Sequence, residues 1–377
     1  MNNDTRSILF EPVNIGKLEL SNRIVMAPMT RGFSPNGIPG QNVIDYYRRR
    51  AEGGVGLIIT EGTWIPHWSS SNNPNVPDFF GDEALAGWKR VADAVHAAGS
   101  KIMPQLWHVG QFGSAGSPNA PEGAPKTRQI GPSGMIGELG TPVEMLDVPA
   151  TQKDIDEVSE AYVVAAESAQ HLGFDGVEIH AAHGYLLDQF FWSATNLRDD
   201  KYGGATLVER ARIALDIVRE MRRRTGPEFP IVMRISQWKQ QDYAARLAET
   251  PEELGSFVGP LADAGVDIFH CSQRRFWEGE FGTDMNVAGW VKKLSGKPSI
   301  TVGSVTLQQD MLETFAGERN VSSSNIGKLC ELLARGDFDL VAIGRALIAD
   351  SEWAEKVHRH ADSELKIFSL EMLGGLE

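Results

Sequence analysis

Two histidines and a tyrosine, His180, His183 and Tyr185, stand within six residues of one another in the segment GVEIHAAHGYLLDQF. They follow directly on a short apolar run. A neutral imidazole donates a hydrogen bond, and a phenol holds its proton until demand removes it. Together they suit a site that grips an oxygen atom and delivers a proton. Two other readings of the pair exist. H-x-x-H can ligate a metal, with Glu178 the one local carboxylate alternating to the side of His180, or both imidazoles can simply satisfy buried backbone. Oxygen binding is the reading adopted, with no metal.

The exits of the other apolar runs are also polar. Pro28, Met29, Thr30 and Arg31 follow the first run, Glu61 and Gly62 the second, and Gln105, Trp107 and His108 lie at the third. Arg234 and Ser236 mark the fifth, Gly303-Ser304 the seventh and Gly344-Arg345 the eighth. Thr30 is a hydroxyl, Gln105 a two-way amide and Arg234 a permanent cation, which together match a flat heterocycle edged with carbonyl and N–H groups. Paired glycines with one arginine suit a phosphate, because glycine lets backbone N–H groups approach closely. FMN fits both descriptions. Neither G-x-G-x-x-G nor G-x-x-x-x-G-K-[ST] occurs, which argues against Rossmann and P-loop sites.

The runs themselves are Ile24–Ala27, Gly56–Thr60, Ile102–Leu106, Gly176–His180, Ile231–Ile235, Ile268–Cys271, Ser299–Val302 and Leu340–Ile343. Each reads as a strand buried on both faces. Helix patterns intervene: Glu83–Ala98, a helix opened by Thr151 and Asp154, Leu207–Arg224, and one opened by Thr250-Pro251-Glu252-Glu253. Strand then helix, eight times over, predicts a (β/α)8 TIM barrel, with an open doubly wound sheet as the other architecture of this pattern. Residues 1–377 form one domain in this reading. Residues 110–150, rich in Gly, Pro and Ser between strands three and four, are an excursion of the kind that forms lids. Gln273–Trp277 after strand six reads equally as a substrate or coenzyme contact through Phe276 and as a solvated charge pair beside a core aromatic.

Composition bounds the partners. With 377 residues, 42% hydrophobic and 23% charged, the chain is ordinary for a globular protein, and a net charge of −14 argues against nucleic-acid and anionic-membrane surfaces. Two well-separated cysteines, Cys271 and Cys330, supply neither a disulfide framework nor a four-cysteine cluster. The N-terminus shows no signal-peptide pattern and no run approaches a membrane span, so the cytoplasm is the expected location.

Four motifs in order, LFEPVNIGKLELSNRIVMAPMTR, QLWHVGQ, GFDGVEIHAAHGYLLDQF with its N.R.D.YGG continuation, and VAIGRAL…D..W, resemble the Old Yellow Enzyme family of FMN-dependent ene-reductases over nearly the whole chain. The resemblance implies an NADPH- or NADH-dependent FMN oxidoreductase. NAD(P)H reduces the flavin, and an activated C=C bond of a small enone, or a quinone or nitro compound, is reduced in turn. It implies that His180 and His183 hold the carbonyl oxygen and Tyr185 protonates Cα, with Trp107 at the substrate; Phe276, in a stretch outside the general family pattern, is expected at the substrate only from its place after strand six. Pro28, Met29, Thr30, Gly62, Gln105 and Arg234 are then expected at the ring, and Gly303, Gly344 and Arg345 at the phosphate. Thr30 stands where one branch of the family has cysteine. The two-cysteine count fits members without an iron–sulfur cluster and appended flavin domain, and the resemblance leaves room for a homo-oligomer. Oxidative demethylation or dienoyl reduction on the same cofactor, and a metal-dependent barrel hydrolase using His180 and His183, are the competing functions.

Overall fold

The computed structural model describes residues 5–112 and 129–377. All eight expected strands form: β1 Ile24–Met26, β2 Leu57–Trp64, β3 Lys101–Trp107, β4 Val177–His180, β5 Ile231–Ser236, β6 Ile268–Ser272, β7 Ser299–Val302 and β8 Leu340–Ile343. Each pairs in parallel with the next, and β8 pairs with β1, so the sheet is a closed barrel rather than an open sheet. Around it run α1 Gln41–Glu52, α2 Asp82–Ala97, α3 Gln152–Leu172, α4 Arg212–Thr225, α5 Pro251–Ala264, α6 Val287–Ser295, α7 Ile326–Arg335 and α8 Trp353–His358.

Strand residues alternate between two buried environments. Ile58, Ile102, Val177, Ile179, Ile231, Met233 and Phe269 pack outward in the layer shared with the helices. Val25, Leu57, Ile59, Met103, Val232, Ile268, Ile300, Leu340 and Ala342 pack together in the barrel interior. The hairpin of Val13–Ile15 and Leu18–Leu20 adds Leu18 and Leu20 to this interior cluster, which plugs the barrel at its amino end. Toward the carboxyl ends, the same alternation presents Gln105, Glu178, His180, Arg234, His270 and Ser272 instead, all buried.

Several helix ends follow their local chemistry. Thr151 and Asp154 form a reciprocal capping box at α3, and Gly173 closes it in the left-handed region at φ +84°. Thr250 caps α5, but the Glu253 carboxylate bonds the Glu249 N–H instead of closing a box. Most boundaries fall within a residue or two of the sequence expectation, and two elements differ further. Strand β2 runs on to Trp64 through a register shift between Ile59 and Gly62, so Glu61 and Gly62 lie inside the strand. The expected single helix over Leu207–Arg224 is two, Leu207–Arg210 and α4. Between them the Arg210 guanidinium bonds the carbonyls of Phe191, Gly204 and Ala205, anchoring the short helix to the preceding loop.

Of the 110–150 excursion, residues 113–128 lie outside the described residues. The described remainder carries a hairpin of Met135–Ile136 with Glu144–Met145, and Gly140 donates to the Gln240 carbonyl beyond β5 at 2.8 Å. No helix among the described residues is long and apolar enough to cross a membrane.

Candidate active site

The carboxyl ends of the strands surround a cavity of about 670 Å³. Pro28, Met29, Thr30, Gln105, Trp107, His180, His183, Tyr185, Arg234, Gly303, Gly344 and Arg345 all line it, having been expected from six separate stretches of sequence. Gly62 and Phe276 are placed elsewhere. A Cβ on Gly62 would stand 2.4 Å from the Trp107 indole, so this glycine makes room for that ring and does not face the cavity. Phe276 is fully buried, edge-on to Trp277 at 5.0 Å, because the chain turns there into the barrel wall.

The histidine and tyrosine rings form one cluster. His180 and His183 meet edge to face at 5.3 Å, Tyr185 lies 5.0 Å from His180, and Trp107 packs against both His180 and Tyr185. His183 takes φ +63°, a left-handed conformation costly for a side chain with a Cβ. The neighbourhood holds it there. Its N–H donates to Ser236 Oγ, its Nε2 pairs with Ser272 Oγ at 2.8 Å, and its carbonyl accepts from Gln240 Nε2. Behind the turn, Asp188 and Lys239 form a fully buried ion pair, and Asp188 also accepts from the Gly184 N–H. Burial, reinforced by Arg234, holds both imidazoles well below the usual histidine range, so they are neutral donors. Burial pushes the Tyr185 phenol up, keeping its proton on oxygen at neutral pH.

Within and beside this cluster several polar atoms are unpaired, and Arg234 is the ladder neighbour of His180. Arg234 is 8% exposed, and its Nε has no hydrogen-bond partner. His180 Nδ1, Trp107 Nε1, Trp238 Nε1 and Tyr243 Oη are likewise buried without partners, and all five residues line the one cavity. A buried polar atom without a partner is costly, and these five border space that a polar ligand can fill. Among the described residues, no three of His, Cys, Asp and Glu group closely enough to hold a metal. Glu178 is instead spent on Gln105 and His270.

These residues fit FMN. The unpartnered guanidinium of Arg234 and the Gln105 amide suit a heterocycle edge that gains negative charge, and Thr30 is exposed at the rim. Thr30 is positioned by Glu61, whose carboxylate accepts from the Arg31 and Gly32 N–H groups at 2.8 and 2.9 Å. Burial raises the Glu61 carboxyl to about 7, opposed by those two bonds. At the other end, Gly303 and Gly344 border the space expected for a phosphate. Arg345 braces that end: its Nη1 bonds the Asp310 carbonyl, Thr314 Oγ1 and Asn320 Oδ1, and its Nη2 bonds Ser304 Oγ and the Gln309 carbonyl.

Trp238, Gln240 and Tyr243, which follow β5, form a further wall that sequence reasoning missed. The aromatic and amide residues of QWKQQDY, which begin directly after their strand, were the available signal. Phe368 and Leu373 also line the cavity. The Arg31 guanidinium draws that C-terminal segment in by bonding the carbonyls of Met372 and Gly375, a contact across more than 340 residues that leaves no local trace.

The model of the NADH:flavin oxidoreductase / NADH oxidase family matches residues 8–364. The chain is 34% identical over 372 residues to an NADH oxidase of Thermoanaerobacter brockii, covering 95% of this chain and 52% of that one, so it spans about half the length of that relative. It is 31% identical over 370 residues to 12-oxophytodienoate reductase 7 of Oryza sativa subsp. japonica, covering 94% and 88%. Among solved structures, morphinone reductase in complex with tetrahydroNAD superposes with a TM-score of 0.79 at 27% identity, covering 97% of this chain and 93% of that one.

Proposed function

The chain belongs to the NADH:flavin oxidoreductase / NADH oxidase family, the Old Yellow Enzyme family its motifs resemble, and on that premise we propose that it is an NAD(P)H-dependent FMN ene-reductase. Its substrates are small enones, with quinones and nitro compounds as further acceptors. The observation that carries this reading is the set of groups gathered in one cavity: neutral His180 and His183 beside a protonated Tyr185, with the Arg234 guanidinium, its Nε unpartnered, on the neighbouring strand.

Bound FMN supplies hydride exchange, accepting from NADH or NADPH and donating to the alkene carbon β to the carbonyl. The protein's own residues do the rest. His180 and His183 donate to the carbonyl oxygen and favour the negative charge that develops there in the transition state. Tyr185 gives its phenolic proton to Cα, completing addition of hydride and proton across the double bond. Trp107 forms the apolar wall against which the alkene packs. Thr30, Gln105 and Arg234 hold the ring edge, with Pro28 and Met29 beside it, and Gly303, Gly344 and Arg345 meet the phosphate. We assign these roles within one cytoplasmic barrel domain, open to self-association.

Reconstitution tests the reading directly. The purified chain should take up FMN and turn yellow, lose the flavin absorbance anaerobically with NADH or NADPH, and regain it on addition of 2-cyclohexenone. Failure to take up FMN, or reduced flavin that the enone leaves unchanged, defeats it.

A further inference from the structure

Below the oxygen-gripping rings lies a charged layer that the reaction scheme leaves unused. Glu178 of β4 is fully buried, and its two oxygens serve different strands. Oε1 accepts from Gln105 Nε2 of β3 at 2.8 Å, and Oε2 pairs with His270 Nδ1 of β6 at 2.6 Å. Strand β5 runs between β4 and β6, so the second contact crosses the barrel interior instead of following a ladder. The side chain that β5 adds is Arg234, whose Cα register partners are His180 on one side and His270 on the other.

Two consequences follow from elementary chemistry. A carboxylate only accepts, so Gln105 must turn its NH2 toward Glu178 and its carbonyl oxygen toward the cavity, where it accepts from a ring N–H. Arg234 carries a full positive charge in a dry site where burial disfavours it, and Glu178 is the carboxylate whose field supports it. Burial keeps the His270 imidazole on the neutral side even beside Glu178. The layer therefore sets one carboxylate near one guanidinium, with His270 hydrogen-bonded to the carboxylate at Oε2.

We propose that Glu178, held by His270, is a positioning residue that sets the reduction potential of the bound flavin, opposing the charge of Arg234 and fixing the acceptor side of Gln105. The proposal rests on the FMN reading above. With the carboxylate gone, Arg234 acts on the ring edge unopposed. A cation there favours the form carrying more negative charge, which is the reduced one, so the midpoint potential moves positive.

Spectroelectrochemical titration of the FMN-loaded protein at one pH, with thermal melting as the folding control, tests this. Glu178→Gln should shift the potential positive. His270→Leu removes the partner of Oε2, so the carboxylate is no longer held beside Gln105 and Arg234 and the potential shifts the same way. His270→Asn keeps an amide N–H directed at Oε2 and should stay at the wild-type potential. An unmoved or more negative potential in Glu178→Gln overturns the proposal, and so does an equal shift in His270→Asn and His270→Leu. Should Glu178→Gln fail to fold, the two His270 variants decide the matter. Wild-type protein that binds no FMN sinks the functional reading itself, an outcome distinct from flavin bound at an unmoved potential.

Discussion

The amino-end floor of the barrel and its carboxyl-end rim are built from the same strands and the same parallel ladders, yet they are opposites. In the floor, Val25, Leu57, Met103, Val232, Ile268, Ile300 and Leu340 fill the interior with apolar side chains. Two or more residues further along, the inward positions become Gln105, Glu178, His180, Arg234, His270 and Ser272. The floor is dry and complete. The rim holds buried N–H groups on Arg234, Trp107 and Trp238 that nothing in the protein satisfies. One end therefore stores stability, and the other forgoes some of it to keep partners free for a ligand.

If that division is right, substitutions at the two ends should fail differently. The largest effect belongs to the rim: Tyr185→Phe should slow enone reduction by ~100-fold or more, the usual scale for losing a general acid, without altering reduction of the flavin by NAD(P)H or the melting temperature. Stopped-flow measurement of each half-reaction separates the two, and equal losses in both contradict the assignment.

Lys239→Met sharpens the comparison, since Lys239 is a rim-side residue with a floor-like role. Its loss leaves Asp188 buried and unpaired, which should cost about 3–5 kcal/mol in chemical denaturation. Adding Asp188→Asn should recover part of that. A floor truncation, Ile300→Ala, should cost about 2–5 kcal/mol through its cavity, with turnover per folded molecule unchanged. A turnover defect in folded Ile300→Ala protein would break the division outright.

The smallest effect is a pH dependence at Glu61. Its carboxyl is raised from the ordinary 4.5 to about 7 by burial. A raised carboxyl favours the folded state fully below the unfolded value, and that advantage is lost as pH climbs through about 7. Glu61→Gln, which keeps an oxygen for the Arg31 and Gly32 N–H groups, should match wild type closely near pH 5. Near pH 8 it should be the more stable, by at most about 3 kcal/mol. Parallel stability curves across that range would show that Glu61 does not titrate as described.

Much of the barrel was readable because each strand carries its own evidence. Ile-Val-Met-Arg-Ile-Ser over β5 sends Val232, Arg234 and Ser236 to one side and Ile231, Met233 and Ile235 to the other, and a period of two needs no knowledge of neighbours. The polar exits were legible for the same reason. Phe276 misled because an aromatic beside two arginines reads alike whether it faces a cavity or the core. The bulge in β2 was hidden because a register shift is a property of two strands, and Ile59 to Gly62 looks regular when read alone.

From its residues alone, the chain determined eight buried strands, the helix stops between them, and the kinds of chemistry at each strand exit, since those depend on local period and side-chain type. Tertiary structure alone decided that Glu178 reaches His270 across the interior, that Arg31 draws the C-terminal segment to the cavity, and that Arg234 Nε is left without a hydrogen-bond partner. Those outcomes depend on which distant groups ring closure brings within hydrogen-bonding range, and no stretch of sequence carries that distance.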